Sequence, residues 1–298
     1  MLYKYRKPVI VVIDDFFPVD NMRTYPYVQI GVAPDGVKEV WPMIIEKAYA
    51  KLGGGFPAIE GGLVADALQA LTNGVPYIFE FSEESTKKMI ETGELWTKMI
   101  QWSAKEFLMG AGSKSGSDKE VSDLGIVQGH AYSVLDFFEL EGTKLVQLRN
   151  PWGDATEWKG AWGDHSAEWT EARKNAVYAF QESQGYERDI IGKGDGIFWM
   201  AYSDFLMNFD QLFLCRFFEG YEELTFNSEW SKARRTAGGC VNNNSVGQNP
   251  QLAVTVTGSG PVEVFCVLQA ETDRPDICIG FTFYDLEGKG RVRDRRLP

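Results

Sequence analysis

The chain predicts an α+β fold, with helices first and an antiparallel sheet after them, and three observations carry that reading. Apolar residues recur at helical spacing between Trp41 and Phe107. From Ile126 onward, aromatic and β-branched residues gather into short runs bounded by turn residues. Beyond Trp230 the strand-like runs are shorter and are punctuated by Gly238-Gly239, Asn242-Asn243-Asn244 and Asn249-Pro250. Evenly spaced short strands of that kind predict a β-sandwich. At 298 residues the chain has room for two domains with separate cores.

The elements follow in order. Val9 to Ile13 is a continuous apolar run, the pattern of a strand buried on both faces, and Asp14-Asp15 ends it. A core strand so near the start leads us to expect a chain that begins part-way through a domain. Trp41, Ile44, Ile45, Ala48, Tyr49 and Leu52 form one helical stripe, with Pro42 at the start and Gly53-Gly54-Gly55 past the end. Ala65 to Leu71 is a short helix stopped at Asn73-Gly74, and Ser82 is placed to cap another through Ile90. Leu95 to Phe107 is a third, with Leu95, Met99 and Trp102 on one face. Gly110 to Gly116 reads as a loop too irregular to cradle a phosphate. Ala131 to Leu140 is a long strand, Glu141-Gly142-Thr143 a turn, and Lys144 to Leu148 the return strand. Gly196 to Tyr202 is a strand, Ser203 caps a short helix through Met207, and Leu212 to Phe218 is a further strand. In the last part, strands are expected over Leu252–Val256, Val262–Leu268 and Ile277–Tyr284.

Composition narrows the function. The formal net charge is −12, and no basic stripe exists to neutralise phosphates, so nucleic acid is excluded as a partner. Acidic residues can build oxygen cages for a cation, although most serve solubility. The four cysteines, Cys215, Cys240, Cys266 and Cys278, form no Cys-x-x-Cys pair, and two histidines are too few for a zinc cluster. Sparse, unpatterned cysteine suits a reducing, cytoplasmic setting. No apolar stretch is long enough to cross a membrane, and Val9 to Ile13 is too short for a signal core.

The hairpin around Gly142 lays His130, at the head of its first strand, beside Asn150, at the tail of its second. An imidazole held by a carboxamide has one ring nitrogen fixed and the other free to serve a thiol. A histidine satisfied by a loop amide is the plain alternative.

The surrounding residues decide between them. Gly129-His130-Ala131-Tyr132-Ser133-Val134, Leu148-Arg149-Asn150-Pro151-Trp152-Gly153, Glu157-Trp158 and Gly160-Ala161-Trp162 closely resemble the calpain family. So do Val12-Ile13-Asp14-Asp15-Phe16-Phe17 and Trp41-Pro42-Met43-Ile44. The resemblance implies a papain-like, β-rich protease subdomain in which His130 is the general base, Asn150 orients it and Trp152 shields the pair from water. It implies three parts: residues 1–61 as the end of a first protease subdomain, 62–224 as the second, and 225–298 as the start of a β-sandwich domain. It implies protein or peptide substrates and a partner subdomain carrying the nucleophilic cysteine.

The family's Gly-x-Cys-Trp type segment and its oxyanion glutamine have no counterpart ahead of His130, and all four cysteines follow it. Each is expected to be structural, so the chain alone should not cleave peptides. It is expected to be either a fragment of a longer calpain or a product lacking the catalytic half. The rival reading is a non-catalytic relative acting as a calcium-responsive or scaffolding module. The resemblance also implies a weak calcium site at Glu157, Asp164 and Asp195, with Lys193 adding positive charge and Ile197 standing where a glutamate is frequent.

Overall fold

A computed structural model describes residues 1–17, 31–32, 38–185, 191–218, 220–255, 260, 262, 264–271 and 278–284. The backbone divides into two compact units, Met1–Phe218 and Glu219–Pro298.

The first unit is α+β. It begins with the antiparallel pair β1 (Leu2–Lys4) and β2 (Lys7–Val9), followed by the short pair β3 (Gly31–Val32) and β4 (Lys38–Glu39). Then come α1 (Trp41–Gly53), α2 (Val64–Thr72), β5 (Val75–Glu80), α3 (Glu84–Glu91) and α4 (Glu94–Ala104). Strands β6 (Leu108–Ser113), β7 (Ala131–Leu140) and β8 (Thr143–Arg149) lead to α5 (Glu171–Ser183). Strand β9 (Ile197–Ala201), helix α6 (Tyr202–Asn208) and strand β10 (Phe209–Arg216) complete it. Six strands form one antiparallel sheet in the order β5-β10-β6-β7-β8-β9. Among the described residues no helix is long and apolar enough to cross a membrane.

Side chains alternate across this sheet and build a core on each face. Val146 and Leu148 of β8, with Phe198 and Met200 of β9, join Leu95, Met99 and Trp102 of α4 in one cluster. Leu145 and Trp199 face the other way, onto Val177 and Tyr178 of α5 and onto Trp162 and Trp169. The α4 stripe is thus the expected core face. Helices α1 and α2 stop where glycine and asparagine accept a left-handed backbone, Gly54 at φ +107° and Asn73 at φ +61°.

The β7–β8 hairpin turns on two residues. Leu140 pairs with Thr143, and Glu141 (φ +51°) and Gly142 (φ +82°) are both left-handed, the geometry that matches strand twist. A bulge between Val134 and Asp136 shifts the register, leaving Ser133 opposite Arg149 and bringing the two strand ends together.

Several expectations are corrected. Gly110–Gly112 lies inside strand β6, not in a loop. A Cβ at Gly110 would meet Val64 and the Tyr132 carbonyl at 3.2 Å, and one at Gly112 would meet Gln211 at 2.9 Å. Close packing, not turning, is what these glycines permit. The strand expected over Val9–Ile13 ends at Val9, and Ile10 and Val12 are exposed. Lysines of α1 reach this stretch of backbone instead: Lys51 donates to Val12 O at 2.6 Å and Lys47 to the O of the following Asp14 at 3.1 Å. Ser82 and Ser203 make no cap hydrogen bonds, since α3 and α6 begin after Glu83 and Ala201. Strand β5 and helix α5 go unread in the sequence. For α5 the signal is Thr170, whose hydroxyl accepts from Arg173 N at the helix start.

In the second unit, Asn249 Oδ1 accepts from Gly238 N at 2.8 Å, and the Ser245 hydroxyl donates to Gly238 O at 2.7 Å, closing the Gly238–Asn249 segment. Its described residues contain a single-turn helix, Val246–Gln248, and no strand. The described parts of the three expected strands take no ladder partner, and Leu252, Val254 and Phe281 are exposed. An apolar strand gains little without a facing sheet to bury it.

Asp136 yields a prediction about stability. It is buried on β7, and burial pushes its carboxyl up to about 6, against a bond from Phe137 N that favours the anion. A raised folded-state value means the associated stability is present below the unfolded value near 3.8 and is lost as pH rises through about 6. Asp136→Asn keeps an oxygen for Phe137 N and removes the charge. Urea unfolding should find it more stable than the parent at pH about 7.5, by about 1–3 kcal/mol, and little changed at pH about 4. Equal differences at both values would contradict this account.

Candidate active site

His130 immediately precedes β7, and its backbone is gripped from the neighbouring strand. Its N–H donates to Ser113 Oγ at 2.9 Å, and its carbonyl accepts from Ser113 N at 3.0 Å. Gly129, at φ +57°, brings the chain so close to the preceding loop that a Cβ there would lie 2.4 Å from Gly116 O. Ser113 has no motif of its own, so sequence reading passes over it.

Across the hairpin, Asn150 directly follows β8 and is fully buried. Its Oδ1 lies 3.0 Å from His130 Nε2 and accepts from Trp152 N at 3.2 Å. Its Nδ2 donates to Thr156 O at 3.0 Å, and its backbone N–H donates to Gly196 O at 2.8 Å. These bonds leave one sensible orientation for the carboxamide, because a flipped amide would set a donor against the Trp152 N–H. The oxygen therefore faces the imidazole, which places a proton on Nε2 and leaves the Nδ1 lone pair available.

The ring is framed by aromatics. Trp152 lies 5.0 Å away, tilted by 53°, and Tyr132 meets it edge-on at 5.2 Å. Tyr132 is fixed in turn, its hydroxyl accepting from Val127 N at 2.9 Å. Burial pulls the His130 pKa below its ordinary value, while the Asn150 bond and the Asp118 charge act in the opposite direction.

Around this pair the tryptophans act as scaffold. Trp158 donates to Ala161 O at 2.8 Å over Gly160, where a Cβ would come within 2.1 Å of its ring. Trp169 donates to Trp162 O at 2.9 Å, and the two rings meet edge-on. Cys215 is buried on β10, 3.6 Å from the Thr72 hydroxyl, and burial raises its thiol pKa. That is the environment of an inert core thiol.

The three acidic residues take up backbone amides. Glu157 Oε1 accepts from Gly196 N at 2.6 Å, Asp164 Oδ2 from Gly192 N at 2.9 Å, and Asp195 Oδ1 from Ile197 N at 3.1 Å. Lys193 Nζ lies 3.4 Å from Asp195 Oδ2. Among the described residues no three carboxylate, imidazole or thiol groups gather as a metal ion needs. One oxygen of each carboxylate is thus turned to a backbone N–H, and the Lys193 ammonium stands at Asp195, so this arrangement as it stands is a poor match to the oxygen cage of calcium.

The model of the calpain family cysteine protease matches residues 1–216. The chain belongs to the calpain family. Over 87% of its length it is 40% identical to the calpain-type cysteine protease DEK1 of Arabidopsis thaliana, covering 11% of that protein. Over 98% of its length it is 30% identical to calpain clp-4 of Caenorhabditis elegans, covering 44% of that relative. It is 28% identical to calpain-5 of Rattus norvegicus, again over 98%, and covers 49% of it. This calpain-family chain therefore spans about a tenth of the plant relative and under half of the two animal ones.

Proposed function

We infer that this chain supplies the acid–base half of a calpain-type cysteine endopeptidase acting on protein substrates. The observation that supports the reading best is the 3.0 Å contact between His130 Nε2 and Asn150 Oδ1, with every other polar atom of that carboxamide held by backbone. In this reading Nδ1 of His130 takes the proton of a cysteine thiol, and the thiolate–imidazolium pair is the resting state. The thiolate attacks the peptide carbonyl, and the imidazolium then gives its proton to the departing amine. Asn150 holds the ring through both steps, and Trp152 screens the contact from water.

In this account the thiol comes from another segment: Cys215 is buried with its pKa raised, and Cys240, Cys266 and Cys278, though exposed, follow His130, whereas the family's cysteine precedes its histidine. Residues 62–224 form the His/Asn subdomain in this account, 1–61 the end of the cysteine-bearing one, and 225–298 the start of the β-sandwich domain.

The test is to join an upstream calpain cysteine subdomain to this chain and measure cleavage of an unfolded protein. The account expects cleavage that needs His130 and is unaffected by Cys215→Ser or Cys240→Ser. A folded fusion that never cleaves, with its upstream cysteine and oxyanion glutamine intact, would hand the function to a binding or scaffolding role.

A further inference from the structure

The segment that ends at Gly196 is tied to Asn150 by a relay of bonds. Glu157, 5% exposed, accepts from Gly196 N, and Gly196 O accepts from Asn150 N at 2.8 Å. One glycine thus carries the grip of a buried carboxylate to the backbone of Asn150. The approach is close: a Cβ on Gly196, at φ +88°, would lie 2.7 Å from Asn150 O. The Asn150 side chain hangs from the same stretch, since Thr156, whose carbonyl takes Nδ2, directly precedes Glu157. At the other end of the segment, Asp164 holds Gly192 N, and the Lys193 ammonium stands beside Asp195.

These are the positions at which the family resemblance implies a divalent cation. Calcium takes about 6–8 oxygens at roughly 2.3–2.6 Å, and here one oxygen of each of the three carboxylates is already turned to a backbone N–H, with no three such side chains gathered among the described residues. An ammonium beside Asp195 and an apolar Ile197 further lower the attraction for a second cation.

We propose that Glu157 is a positioning residue for Asn150, and that the Gly192–Gly196 segment is closed by backbone amides and Lys193 in place of a divalent cation. The positioning role rests on the reading of His130 and Asn150 as the catalytic pair; the closure does not.

The experiment follows the Gly196 backbone amide, the Asn150 side-chain amide and the His130 ring of the full chain by NMR, with melting temperature, in chelator and in millimolar calcium. The parent should show the same signals and the same melting temperature in both. Glu157→Ala should speed exchange of the Gly196 amide by about 10-fold or more, as loss of a charge-assisted bond implies, and shift the His130 and Asn150 signals. Glu157→Gln keeps an accepting oxygen and should restore both. In the completed enzyme Glu157→Ala should lower kcat with KM held.

A parent whose His130 signals or melting temperature move with calcium overturns the closure, and this arm needs no variant to fold. A folded Glu157→Ala chain with undiminished Gly196 protection overturns the relay. An inert completed enzyme with parent signals intact defeats the catalytic reading and leaves the closure standing.

Discussion

Replacing His130 with alanine in a chain completed by an upstream cysteine subdomain should remove peptide cleavage, with a loss of about 10²–10⁴-fold or to background. The imidazole has two tasks, to draw the proton from the thiol and to return it to the leaving amine, and alanine can do neither. No second imidazole stands ready, because the other histidine of the chain, His165, lies on the segment after Asn150 that carries the tryptophan scaffold. The fold should survive, since His130 is only partly buried and its backbone is held by Ser113 whatever the side chain. Far-ultraviolet dichroism of the variant should match the parent while cleavage disappears. Undiminished cleavage by a folded His130→Ala enzyme would end the assignment.

Asn150→Ala should damage both stability and rate. The Thr156 carbonyl, the Trp152 N–H and the His130 ring each lose a partner, and Asn150 itself is fully buried. Unmet buried groups cost about 1–3 kcal/mol. The rate should fall by roughly 10–100-fold, less than on loss of the imidazole, because the proton chemistry survives and only the aim of the ring is lost. Asn150→Asp separates these effects. Its carboxylate still accepts from His130 and Trp152 but sets an oxygen against the Thr156 carbonyl, and its charge raises the imidazole pKa. The basic limb of the rate profile, where the imidazolium is lost, should therefore move to higher pH in Asn150→Asp and to lower pH in Asn150→Ala, which loses the bond that supports the charged ring. Urea unfolding and a pH–rate profile check the pair of variants, and an Asn150→Ala chain with parental stability and rate would contradict the geometry.

The site was more legible in the sequence than its supports were. A two-residue turn at Glu141-Gly142 sets the hairpin, and the hairpin sets the meeting of His130 with Asn150, so a local signal carries the long-range contact. The α4 stripe was equally plain, because one helical face of Leu95, Met99 and Trp102 has nowhere to go but a core. Ser113, Thr156 and Gly196 were not legible. Each acts through backbone groups that any sequence possesses, and only the tertiary fold shows which amide meets which oxygen. Strand β6 was hidden for a related reason. Glycine signals a turn locally, yet here it answers the crowding of Val64, Tyr132 and Gln211, which lie far away in sequence. The Val9–Ile13 run misled in the opposite direction, since apolar composition says a strand can be buried and says nothing of whether a partner covers it. For the acidic triplet, spacing alone cannot reveal that one oxygen of each side chain accepts a backbone N–H.

The central claim is that the His130 ring, aimed by Asn150, ionises a thiol supplied by another segment. The rate at which iodoacetamide alkylates the upstream cysteine of the completed enzyme, followed against pH, measures that ionisation without needing turnover. With His130 present, alkylation should stay fast well below pH about 8.5, the ordinary thiol value, and in His130→Ala it should fall back to that ordinary titration. Identical alkylation profiles with and without His130 would contradict the account.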